Sequence, residues 1–251
     1  MDVSELTKSL SSYNETVNGT AEAIAASLRP LAVIILGICY LIEIDSWWKT
    51  FKQEGGNLTS EMWFEVAYKY LISLLLISMS SQIFDAMVAV VNIALNLIDA
   101  AVPEPTNSYG MDLDLGKVKG WFIKHVISVI GWLVQGTADL STKLITMMRF
   151  FQMYLLKAFA PLLVAFFLPD STRSIALNIL KHFGAAAFQA VILVIVLRLY
   201  PALVTSDLLS INMTGTWETW GTAFSSLAKG IIFIFMLFGS QKLAKSLIGA
   251  M

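Results

Sequence analysis

The chain has 251 residues, of which 57% are hydrophobic and only 14% charged. A soluble domain usually carries about a quarter charged residues, so the composition excludes a disordered chain and argues against a water-soluble enzyme. The formal net charge of −1, from 17 Lys and Arg against 18 Asp and Glu, gives no footing for a nucleic-acid-binding surface.

Long apolar runs with few charges are what a bilayer demands. The sequence therefore predicts an all-α fold, a polytopic transmembrane helix bundle with five or six spans and an N-terminal amphipathic helix. The amphipathic helix is expected over residues 1–28 and the transmembrane domain over 29–251. Val3, Leu6, Leu10, Tyr13, Val17, Ala21, Ile24 and Leu28 recur at spacings of three and four, which makes one helical stripe. The opposite face is rich in Ser, Thr, Asn and Glu. Such a helix lies on the membrane, packs on a partner, or folds back on its own bundle, and the stripe alone leaves all three open.

The first apolar segment covers about 30–44, and Pro30 suits the first turn of its helix. The single cysteine, Cys39, lies in this run and reads as a buried thiol that cannot form an intramolecular disulfide. A second apolar segment covers about 66–98, interrupted by Asp85. As one helix it would be about 50 Å long, more than the roughly 30 Å hydrocarbon core, so it must tilt, protrude or break near Asp85. Neither half is long enough for a span, so one crossing is expected.

A hydrophilic stretch at 99–120 precedes a marginal segment at 121–137. A short polar stretch, Gly136 to Lys143, then separates it from a longer segment at 144–168. The strongest segment is 178–200, and the last is 223–240. Six of the seven tryptophans flank apolar runs, as indole rings favour the headgroup level; Trp132 alone falls well inside one. The loop from Thr205 to Trp220 has no Lys or Arg and is expected outside, with the Lys242 and Lys245 tail inside.

Catalytic signatures are missing from the sequence: no Gly-rich phosphate loop with Lys and Ser or Thr, no His-Glu-x-x-His, no Gly-x-Ser-x-Gly. His125 and His182 each follow a lysine near the start of an apolar run and read as interfacial. The expectation is a protein that is not an enzyme and holds neither metal nor cofactor.

The informative residues are polar ones inside apolar runs. Asp85, Arg149, Lys157 and Arg198 would each cost about 3 kcal/mol to bury in a membrane, so each needs a partner or a wet cavity. Arg149 and Gln152 share a helix face. Two readings compete: structural pairing or snorkelling, and a polar pathway lined between protomers. Asn92 and Asn96 fall on one face with Asp85 and Asp99, a stripe unfavourable against lipid. Pro161 removes a backbone donor and is a candidate kink. Gly184, Ala186 and Ala190 offer a small-residue packing face, with Gln189 able to hydrogen-bond across it.

The stretch Arg149-Phe-Phe-Gln-Met-Tyr-Leu-Leu-Lys-Ala-Phe-Ala-Pro161, then Leu162 through Thr172, then Asn178 to Gln189, resembles the core of the TrbL-like family. These are polytopic inner-membrane subunits of type IV secretion and conjugation machines. The resemblance covers roughly residues 145–200 and rests on Arg149, Ala160-Pro161-Leu162, Thr172 and Phe183 to Gln189. It implies five or more spans with the N-terminus outside, and a channel or platform subunit. The expectation built on it is a homo-oligomer, in which spans from several copies surround or support one path. It also implies partners: secretion ATPases, a bitopic scaffold subunit, membrane lipid, and transient contact with transferred DNA or protein. From another class come two alternatives, a small-molecule or ion transporter subunit and a non-conducting membrane scaffold. A transporter would usually show an internal repeat, and none is visible.

Overall fold

The computed structural model describes residues 5–54, 60–102, 121–167, 170–205 and 218–250. Among these residues there is no strand. The helices are α1 (Leu10–Tyr13), α2 (Glu15–Glu54), α3 (Ser60–Ser78), α4 (Ser80–Ala101), α5 (Trp121–Ala165), α6 (Asp170–Thr205) and α7 (Glu218–Ile248). Five of them contain stretches long and apolar enough to cross a membrane: 15–50, 80–101, 128–165, 172–203 and 227–248. The chain is a multi-pass, all-α membrane protein.

The N-terminus differs from a single helix over 1–28. Ser9 caps α1 by accepting from the Ser12 backbone N–H at 3.1 Å. Asn14 is extended, and its Oδ1 accepts from the Val17 N–H at 3.0 Å, so it starts α2. Short polar side chains that satisfy the first free N–H groups favour helix starts at such points. α2 then runs unbroken past residue 28 and through Pro30. Proline therefore sits inside the helix rather than opening it, and no boundary falls between 28 and 29.

Two further boundaries differ. Residues 121–137 and 144–168 form one helix, α5, because the polar stretch between them stays helical. Thr137 Oγ1 donates to the Leu133 carbonyl at 2.7 Å, and Thr142 Oγ1 to that of Ala138 at 2.8 Å. With their hydroxyls satisfied by their own helix, these residues need no loop. This merger gives five candidate spans instead of six. The 66–98 segment does break, but at Met79 rather than near Asp85. Ser78 Oγ and Ser80 Oγ donate to the carbonyls of Leu74 and Ile77, at 3.0 and 2.9 Å. Asp85 has the Lys157 ammonium to satisfy it, and α4 runs unbroken through it. α7 ends where Gly249 takes a positive φ of 66°. The Ala250 N–H then reaches the Lys245 carbonyl and the Gly249 N–H that of Ser246, the pairing of a glycine-capped helix end.

By contact, the chain forms two compact units, one from residues 1–7, 91–149 and 188–244, the other from 8–90, 150–187 and 245–251. In the first, Leu6, Leu95, Ile145, Leu193, Leu197 and Leu237 build the core. Tyr200 packs on Phe233 there and donates to the Lys229 carbonyl at 2.7 Å. In the second, Ala32, Leu36, Ile77 and Ala165 cluster, with Tyr40 tilted against Tyr70 and Phe84 edge-on to Phe183.

The buried and exposed faces invert the rule for soluble helices. On α2 the buried side chains are Asn18, Ala21, Ala25, Ala32, Leu36 and Cys39, while Val17, Ile24, Leu31, Ile34, Ile38 and Leu41 point outward. Lipid tails are as apolar as leucine, so large side chains gain nothing by turning inward, and small ones let helices approach. α6 is the most enclosed span: 72% of its apolar window is buried, against 17–44% in the others. Ala186 and Ala190 lie in that buried face. Gly184 is less tightly held, since a Cβ there would meet Met87 at 3.7 Å and Ile248 at 3.8 Å. Those are ordinary contacts, so Gly184→Ala should leave the thermal midpoint in detergent within about 2 °C of the parent, as a substitution compatible with its site does. A larger fall would show that the two side chains cannot yield.

Candidate functional site: charge clusters on the span helices

Asp85, Asp99, Lys157 and Arg198 within the spans are paired, and each pair joins distant parts of the chain. In the second unit, Lys157 on α5 is fully buried. Its ammonium donates to Asp85 Oδ1 and Oδ2 at 2.8 and 2.9 Å, to Glu22 Oε1 at 2.9 Å and to Asn18 Oδ1 at 3.0 Å. Asn18 Nδ2 also donates to Glu22 Oε1 at 3.0 Å. One cation thus joins α2, α4 and α5, with two carboxylates and one amide around it. All three ammonium donors have acceptors, which is what makes a buried ion tolerable.

Sequence reasoning singled out Asp85 and Lys157 but missed Asn18 and Glu22. Both were assigned to the polar face of the N-terminal helix, opposite its apolar stripe. The available signal was their spacing of four, which puts a carboxylate and an amide side by side one turn apart. Pro161 bears on the same cluster. It lies inside α5, which continues to Ala165, and it supplies no N–H to the carbonyl of Lys157, four residues back. The residue that carries the buried charge thus also has a backbone acceptor released from the helix.

In the first unit, Arg198 on α6 pairs with Asp99 on α4 through Nη2. The Arg198 side chain is 4% exposed and that of Asp99 50%. Its Nε and Nη1 are buried without hydrogen-bond partners among the described residues. Arg149, also buried, donates to the Leu6 carbonyl at 3.3 Å. Gln189 donates to Ser240 Oγ at 3.4 Å, a long contact linking α6 to α7. In the second unit, Tyr154 Oη donates to the Leu10 carbonyl at 2.6 Å, and Phe150 stacks on Tyr13. These contacts hold the segment around α1 against α5, with one of the three settings the sequence left open, the fold-back on its own bundle.

The polar residues therefore sort into two sets. Arg149, Lys157, Gln189 and Arg198 point into the chain, and Gln152 is half-buried. α4 presents the other set. Asp85 and Asn92 are partly covered, and Asn96 and Asp99 are exposed. They share one face of a helix whose apolar window is only 17% buried.

Among the described residues no three His, Cys, Asp or Glu side chains group as metal ligands. His125 stacks obliquely on Trp121 at 5.2 Å, and Cys39 is buried. No protein-family model matches the chain, and no curated protein matches it.

Proposed function

We propose that the chain is a subunit of an oligomeric membrane assembly, a channel or platform component of a conjugative type IV secretion system in the bacterial cell (inner) membrane. The observation that carries the reading is the polar face of α4. It runs the length of a candidate span; Asp85 and Asp99 near its ends are paired with Lys157 and Arg198, while the amides of Asn92 and Asn96 between them have no hydrogen-bond partner among the described residues. Hydrocarbon cannot satisfy an amide or a carboxylate, so this face meets either another protein surface or water. A homo-oligomer supplies both, with α4 from each copy turned toward its neighbour or toward a shared path. Five helices make a bundle too small to enclose a wide path alone.

The type IV assignment rests on the resemblance at Arg149 to Gln189, and the buried placement of Arg149 and Gln189 gives those positions a packing role in this reading. In this reading movement of DNA or protein is driven by secretion ATPases, with a bitopic scaffold as neighbour. Five crossings set the N-terminal segment and the Lys242/Lys245 tail on opposite sides, and basic tails favour the cytoplasm, which puts the N-terminus outside.

Purification of the tagged protein from its native membrane in mild detergent, with mass spectrometry of what accompanies it, tests the proposal. Secretion ATPases and a bitopic subunit are expected to co-purify, at a mass of several copies. Recovery of a lone monomer would overturn the reading.

A further inference from the structure

We propose that α4 is the contact between copies of this chain, with the amides of Asn92 and Asn96 hydrogen-bonded to the same two amides of a second copy. The inference rests on the reading of the chain as one subunit of an oligomeric membrane assembly, and it needs no role in secretion. α4 has 22 residues, so at 1.5 Å per residue it is about 33 Å long, close to one hydrocarbon thickness. Asn92 stands within a turn of its midpoint, and Asn96 lies one turn further on. Asn92 is partly covered and Asn96 exposed, and neither amide has a hydrogen-bond partner among the described residues. At that depth an amide must find a polar partner outside the lipid tails.

Three features select a second copy as the partner. The first is chemical. An amide carries both donors and an acceptor, so two identical amides satisfy each other, which two carboxylates or two ammonium groups cannot do. The second is electrostatic. Asp85 and Asp99 would repel their counterparts in another copy, but Lys157 and Arg198 of the same chain already neutralise them. The face offered to a neighbour is therefore uncharged, and a basic partner finds no unpaired carboxylate on it. The third is spacing. Asp85, Ala89, Asn92, Asn96 and Asp99 follow one another at intervals of four, three, four and three, the heptad seam along which two helices stay in contact. Ala89 is exposed on this seam, and a small side chain lets the backbones approach. Every copy carries the same charge bias and inserts in the same sense. Neighbouring α4 helices therefore run parallel, and like residues meet at one depth. Asparagine at a seam position fixes that register. Val90 and Leu97, 66% and 67% exposed, lie off the seam on the apolar side of the helix.

The test is disulfide trapping of the full chain in native membranes, in a Cys39→Ala background that removes the one native thiol. Asn92→Cys, Asn96→Cys, Val90→Cys and Leu97→Cys are made singly and oxidised with copper phenanthroline. A disulfide needs Cα atoms about 4.4–6.8 Å apart, so only seam positions of a parallel pair can link to themselves. Asn92→Cys and Asn96→Cys should each give a covalent dimer, and Val90→Cys and Leu97→Cys none above the unoxidised background. Should either asparagine variant fail to insert, Ala89→Cys on the same seam makes the same test. Asn92→Ala combined with Asn96→Ala should weaken association in detergent roughly 3- to 30-fold for each hydrogen bond lost between membrane helices. The native mass of the parent separates this inference from the reading it rests on. A mass of several copies with no dimer from the seam positions overturns the α4 contact and leaves the oligomer standing. A monomer mass with no dimer overturns both. Dimers from Val90→Cys and Leu97→Cys as abundant as those from the seam report random collision and also overturn the contact.

Discussion

Asp99→Leu is expected to destabilise the protein by about 3–5 kcal/mol, the cost of leaving a buried charge without its partner, and by clearly more than Arg198→Met. The asymmetry follows from burial. The Arg198 side chain is 4% exposed, and two of its N–H-bearing nitrogens lack acceptors among the described residues. Without Asp99, a guanidinium that cannot shed its proton is stranded in an apolar interior. Removing Arg198 instead deletes those unsatisfied donors and leaves a carboxylate that is 50% exposed. Combining Asp99→Leu with Arg198→Met should recover most of the loss, because buried ion pairs are often replaced by apolar side chains at little cost. Thermal midpoints read by size-exclusion chromatography in detergent measure all three. An Arg198→Met variant less stable than Asp99→Leu would refute the assignment of the burden to the cation.

The second large effect concerns Lys157. Lys157→Met should also cost about 3–5 kcal/mol. It leaves Glu22 and Asp85 facing each other as like charges and strips Asn18 Oδ1 of its donor. Both carboxylates are about half-exposed, at 48% and 45%, so their repulsion is tempered where water reaches them. The neutral combination of Lys157→Met with Glu22→Gln and Asp85→Asn should be more stable than Lys157→Met alone. If the three changes together are no better, the loss comes from side-chain packing of the lysine stem and not from charge.

These clusters mark where sequence reading reached and where it stopped. Asp85, Lys157 and Arg198 were legible because a charge in an apolar run is conspicuous and must have a partner. Their partners were legible only in part. Asp99 fell on the stripe with Asp85, but Asn18 and Glu22 were hidden by a stripe drawn straight through residue 14. The Asn14 cap ends one helix and starts another. Beyond it, Val17 and Ile24 turn outward while Ala21 and Ala25 turn in. An apolar stripe locates the buried face when water is the solvent, and lipid removes that rule. The six apolar segments reduced to five spans for a related reason. Gly136 to Lys143 is polar enough to resemble a loop, yet its threonines bond to their own helix. The break in the second segment is expected at a charge and occurs at Met79 instead, because the charge is paired with Lys157 and a paired charge leaves a helix intact.

The Lys157 cluster also sets an order of events during synthesis. Glu22 and Asp85 precede Lys157 by 135 and 72 residues. At about 5–20 residues per second, they leave the ribosome roughly 7–27 s and 4–14 s before their counter-charge exists. Asp99 precedes Arg198 by 99 residues, a further wait of about 5–20 s. α2 and α4 therefore reach the membrane carrying charges that no part of the chain yet neutralises. Until α5 and α6 arrive, these helices need a wet or proteinaceous holding place. The arrival of α5, and not the apolarity of α2 or α4, is the step that releases them into their final seats.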